Sequence, residues 1–215
     1  GGLWTRSGPV TFSRMTTQNE TYEAMDADLR RGLVSLSAEL DPKQLARKKT
    51  LEYPRNSQSA IKSLAGIEVC KGLTRLELPG HEITDLSPLR GLAKLETLHL
   101  HRNPELSDVT PLAELRALQV LYLAQTQVRD LSGLRGHPAL NYLSISETPI
   151  SDITPLVELP KLETVIMRDC KQLVIEAGNA NYVAITQLID RGVDVYLKGN
   201  PDVDAYKVGR GVAPS

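Results

Sequence analysis

Between residues 73 and 161 the chain states one phrase four times. The copies start at Leu73, Leu95, Leu118 and Leu140, and a fifth, shorter one starts at Leu162, at spacings of 22, 23, 22 and 22 residues. The extra residue lies in "NPEL", a turn. Such a period excludes an ordinary globular core, because one copy cannot bury its own apolar face. Copies must stack, each covering the next.

Each copy has two halves. The first, L-x-x-L-x-L, alternates at its end and predicts a short strand. The second reads Asp85-Leu86-Ser87-Pro88-Leu89 in the first copy, and Asp108, Asp130 and Asp152 open its counterparts. Ser or Thr followed by Pro predicts an N-cap and first position of a short helix or 3-10 turn. The Asp is expected to accept backbone N–H groups in the bend before it. Gly133 replaces Pro once. Stacked strands then form a parallel sheet, about 4.8 Å per coil.

This pattern resembles the leucine-rich repeat family, in the 22-residue class carried by bacterial internalins and by the leucine-rich regulatory subunit of protein phosphatase 1. The resemblance covers about residues 73–173. It implies an α/β fold: a right-handed solenoid with a parallel sheet on its concave face and 3-10 or short helices on its convex face. Degenerate units extend it to about seven coils over 51–200. At the start, Leu51 and Tyr53 are expected in the core, Asn56 at the turn, and Leu64 and Ile67 in the return half. At the end, Val195 and Leu197 are expected in the core and Asn200 at the turn. Between them, 181–192 predicts a helix, with Val183, Ile185, Leu188 and Ile189 at helical spacing and Gly192 as a stop. Residues 1–50 carry a helical pattern over 19–42 (Tyr22, Met25, Leu29, Leu33, Leu36), with "DPKQLARKK" continuing it. They are expected to cap the first coil, and 201–215 is a C-terminal tail.

The family prefers Asn at the turn after each strand, where its buried amide bonds the next coil. Here that position holds His81, Asn103, Thr126, Thr148, Cys170 and Asn200. His81 departs furthest. Cys170 is expected as an interior thiol. Cys70 and Cys170 stand several coils, roughly 20 Å, apart, too far for a disulfide. Reduced thiols favour the cytoplasm. No leader pattern opens the numbered chain, although a removed signal peptide would equally allow a periplasmic or secreted protein.

Net charge is −1, which gives no global attraction to nucleic acid, and no apolar run reaches membrane-spanning length. There is no G-x-S-x-G, P-loop or H-E-x-x-H, so no enzyme is predicted and no cofactor is implied. The Asp ladder could suggest calcium, but local capping explains it. His99 and His101, at i and i+2 on a strand with Glu77 beside His99, could hold zinc. A third strong ligand is not evident, so a solvated or partner-facing pair is expected. Asn19-Glu20-Thr21 matches a glycosylation sequon and reads better as a helix start. The basic run at 47–55 reads as a solvated face.

What remains is the outward row between the leucines. Arg75, Glu77, His99, His101, Val120, Tyr122, Tyr142, Ser144, Ile166, Arg168 and Tyr196 are expected to face out on the concave side. Clustered tyrosines with apolar neighbours are the interface type. The expected function is therefore binding of another protein by a monomer, in a bacterial effector, adhesin or toxin-immunity protein. The alternative is a subunit that regulates an enzyme such as a phosphatase. A competing structural expectation is that the N-terminal segment folds over this face.

Overall fold

The computed structural model describes residues 25, 27, 29, 30, 42–53 and 60–197 of the 215. Most of the expected N-terminal helix, the Asn19 sequon, Asn56, Lys198, Asn200 and the tail lie outside the described residues.

Among the described residues, seven parallel strands form one sheet in simple sequential order. They are β1 (Thr50–Glu52), β2 (Arg75–Glu77), β3 (Thr97–His99), β4 (Val120–Tyr122), β5 (Tyr142–Ser144), β6 (Thr164–Ile166) and β7 (Asp194–Tyr196). The register is unbroken: Leu51, Leu76, Leu98, Leu121, Leu143, Val165 and Val195 stand side by side. Strands of three residues hold because the ladder runs past their ends. Leu78 N–H donates to His99 O at 2.9 Å, and Leu100 N–H to Tyr122 O at 2.9 Å. Each strand places its central aliphatic residue inward, and these residues are buried completely or nearly so.

The chain returns along the other side through 3-10 helices: Ile67–Val69, Ser87–Leu89, Thr110–Glu114, Ser132–Leu134 and Thr154–Glu158. Leu86, Leu89 and Leu92, with their counterparts, complete a continuous aliphatic core. The capping differs from expectation. The caps are Leu86, Val109, Leu131 and Ile153, and the Ser or Thr is already the first helical residue, with no side-chain cap bond. The Asp residues take that role. Asp85, Asp108, Asp130 and Asp152 Oδ1 accept the N–H two residues on, at 2.7–2.8 Å. A carboxylate two positions upstream reaches the orphan amide that a hydroxyl on the amide's own residue cannot.

The turn after each strand uses a feature the repeat pattern concealed. Gly80, Arg102, Gln125, Glu147 and Asp169 occupy the same place in successive coils, and all have φ between 55 and 73°. Only Gly80 announces this left-handed position in the sequence. The next residue points inward. Asn103 is fully buried: its Oδ1 accepts Ile83 N–H at 3.1 Å, and its Nδ2 donates to Leu78 O and Leu100 O. The amide thus ties its own coil to the preceding one, not to the next. His81 does the same work with a ring. Nδ1 accepts Ile61 N–H at 3.3 Å, Nε2 donates to Tyr53 O at 2.7 Å, and the ring stacks on Tyr53. Thr126 and Thr148 donate within their own coils, to Leu123 O and Ile145 O, and the Thr148 hydroxyl also lies 3.7 Å from Cys170 Sγ of the next coil. Cys170 Sγ donates to Ile145 O at 3.2 Å, and both cysteines are buried and free, as expected.

The ends follow different rules. At the start, α1 (Pro42–Arg47) continues the helical pattern, and Met25 and Leu29 are buried in the common core. Gly66, at φ 92°, receives Met25: a Cβ there would stand 2.8 Å from the Met25 Cβ. At the far end, α2 (Ala180–Asp190) replaces the 3-10 turn. Asn179 Oδ1 caps it by accepting Tyr182 N–H at 2.8 Å, and Gly192 at φ 83° ends it. Asn181 binds α2 to the coil before, accepting from Ile153 N–H and donating to Ser151 O. Ala184, Ile185 and Leu188 face the core. Val183 does not; it is 44% exposed, because Ala184 takes the inward position beside it.

Candidate protein-binding face

The sheet register builds the site. Arg75, Thr97, Val120, Tyr142, Thr164 and Asp194 form one outward row, and Glu77, His99, Tyr122, Ser144, Ile166 and Tyr196 a second. Two rows on a single pleated face follow from the period of two along each strand. A rigid ladder fixes neighbouring side chains at strand spacing, and large ones must touch.

They do. The His99 ring lies 4.3 Å from the Tyr122 ring, edge to face, and His101 lies 6.4 Å from it. Tyr122 and Tyr142 rings are 5.0 Å apart. Four aromatic side chains, three on β3 to β5 and His101 in the turn just after β3, thus form one cluster, with Val120 and Ile166 half-buried at its edges. Tyr196, on β7, is 44% exposed, and the Arg168 guanidinium sits 5.8 Å from its ring centroid. Ser144 is the exception among the expected contact residues. It is only 6% exposed, since it is small and its row neighbours are Tyr122 and Ile166.

Charge is organised along the same face. Arg75 pairs with Glu77 and, at 3.7 Å, with Glu52. Glu77 Oε1 stands 3.6 Å from His99 Nδ1. Burial pushes the His99 pKa down, against the pull of Glu77. Burial, then Arg102, does the same for His101, whose Nδ1 is enclosed without a hydrogen-bond partner. Both rings are therefore neutral at pH 7 and behave as aromatic surface. Burial, reinforced by its hydrogen bond to Tyr122, pushes the Tyr142 hydroxyl up to about 12. Among the described residues no three or more His, Cys, Asp or Glu are placed to hold a metal ion.

Beside this face runs a side-chain ladder that the sequence did not reveal. Arg102 Nε donates to Gln125 Oε1, and Gln125 Nε2 to Glu147 Oε2, each at 2.9 Å. These are the left-handed turn residues. Their register is visible only once the backbone fixes which residue of each turn points outward.

Coils, sheet and convex 3-10 helices define a leucine-rich-repeat solenoid, and the family model for leucine rich repeats, in two copies, matches residues 71–114. Among solenoids of this kind it is internalin-like. It is similar to the crystal structure of internalin C2 of Listeria monocytogenes at 26% identity and TM-score 0.57, covering 87% of this chain and 92% of that one. A second internalin of that organism, inlF, aligns at 22% identity and TM-score 0.56, over 85% of this chain and 65% of its own. A leucine-rich-repeat protein of Leptospira interrogans gives 19% and 0.51, over 74% and 45%. The last two likenesses concern the fold alone, and this chain spans under two thirds of either protein. No curated protein matches it. Leucine-rich repeats are in general protein-interaction modules. Among the described residues no helix is long and apolar enough to cross a membrane.

Proposed function

We propose that the protein binds a partner protein on its concave face, through the aromatic cluster of His99, His101, Tyr122 and Tyr142. The observation that carries this reading is the ring contact of Tyr122 with Tyr142 and His99 on a rigid outward row. A solenoid sheet needs its inward leucines for stability; it does not need large aromatic side chains turned outward. Tyrosines fixed by their neighbours lose little entropy on binding, which makes them good anchors. Arg75, Glu77, Val120, Ile166, Arg168 and Tyr196 surround the anchors. The similarity to an internalin of Listeria monocytogenes supports a bacterial origin, and within it the proposed role is that of an effector, adhesin or immunity protein.

The test is to replace Tyr122 and Tyr142 by Ala, singly and together, and to compare partner capture and melting with the parent chain. Loss of partner at an unchanged melting temperature supports the reading. A double variant that melts normally and still captures the partner overturns it.

A further inference from the structure

Among the described residues on and beside the concave face, Arg168 is the arginine whose side chain has neither a carboxylate nor an amide partner. Arg75 is paired with Glu77 and Glu52, and Arg102 is held by Gln125. Arg168 has no carboxylate partner among the described residues. Its guanidinium rests on the Tyr196 ring, and its backbone N–H donates to Ser146 Oγ at 3.1 Å. The stacked ring restrains the guanidinium and leaves its N–H fork open. Ile166 faces outward at the end of β6, two residues before Arg168, and the Tyr142 hydroxyl on the strand before lies within electrostatic reach of the guanidinium.

We infer that the partner presents a carboxylate to Arg168, with an aromatic or aliphatic side chain beside it that packs on Tyr142 and Ile166. This rests on the concave-face reading above and specifies its chemistry. A planar carboxylate matches the guanidinium fork with two parallel hydrogen bonds. One open cation among the described residues suits one carboxylate. A phosphodiester chain would need several open cations in a row, and the described residues of this face, with Arg75 paired, Arg102 held by Gln125 and His99 and His101 neutral, do not supply them. Docking of the apolar flank excludes water from the ion pair and strengthens it.

The experiment is a selection of random displayed peptides on the full chain, followed by fluorescence anisotropy with the synthetic peptides recovered. The expected consensus holds Asp or Glu within about three residues of an aromatic or aliphatic residue. Arg168→Ala should weaken these peptides roughly tenfold, the scale of one charge-assisted hydrogen-bonded pair. Replacing the peptide's acid by its amide should do the same, and Arg168→Glu should recover binding when that acid is changed to Lys. Arg135→Ala, on the convex side, should change nothing, and circular dichroism confirms that each variant folds. Peptides that lose binding with Tyr142→Ala but not with Arg168→Ala overturn the carboxylate inference alone. Peptides indifferent to both overturn the concave-face reading as well. Recovery of no acidic consensus, or of no peptide, counts against the inference.

Discussion

The Cβ that Gly133 lacks would stand 2.8 Å from the Cα of Thr110 in the coil before. Every other full copy has Pro at this place, so the consensus substitution Gly133→Pro looks stabilising on sequence grounds. The packing says otherwise. Gly133→Ala should destabilise by about 1–3 kcal/mol, the usual range for overpacking, and Gly133→Pro by at least as much. Urea denaturation of both variants checks this.

Asn103 and Thr126 hold the same turn position in adjacent coils but unequal numbers of bonds. Asn103→Ala deletes three and leaves the buried Ile83 N–H unpaired. Thr126→Ala deletes one. The expected costs are about 3 kcal/mol and about 1 kcal/mol respectively. Equal chemical-denaturation midpoints for the two variants would contradict the account.

Asp169 sits at φ 57°. Glycine enters that region without the steric cost an L side chain meets, about 1–2 kcal/mol, against a smaller entropic loss. Asp169→Gly should therefore stabilise by up to about 1 kcal/mol. Gln125→Gly should gain less or lose, since Gln125 bonds both Arg102 and Glu147. Paired thermal melts would separate the two.

His137 is buried, donates Nε2–H to Leu115 O at 2.9 Å, and encloses Nδ1 without a partner. Burial pushes its pKa below the ordinary 6.5, and the same holds for His99 and His101. The unfolded chain then binds these protons more tightly than the folded one. The stability they contribute is full above pH 6.5 and declines as pH falls below it. Asp85 and Asp130, held below 3.8 by the backbone N–H groups of Ser87 and Ser132, add a second loss below that pH. Urea midpoints should therefore fall from about pH 6.5 downward, and His137→Gln should flatten the upper part of the slope.

Burial pushes the Cys70 thiol up to about 11 and raises that of Cys170. A thiol that is both inaccessible and protonated is a poor nucleophile. A disulfide reagent at pH 8 should react with neither in the native protein and with two per chain in denaturant. Fast reaction of either under native conditions would refute their burial.

Much of this was legible in the order of residues. The 22-residue period carries the fold, because inward leucines at fixed spacing can be satisfied only by stacking. The same period placed His99 beside Glu77 and Tyr122 beside His99, since in-register parallel strands put equivalent letters next to each other. Local signals were read less well. Ser87 looked like a cap, but Asp85 makes the bond. Val183 fitted a helical stripe, but Ala184 took the inward place. Backbone handedness at Arg102, Gln125, Glu147 and Asp169 left no trace in side-chain type. Periodicity thus determined which residues share a face, a matter of spacing alone. Only the tertiary structure decided how closely those faces meet. It closed Ser144 in, brought Gly133 against Thr110, turned Asn103 toward the coil before it, and left Arg168 on Tyr196 with no carboxylate partner among the described residues. Each depends on contacts across coils, at distances that no spacing along the chain records.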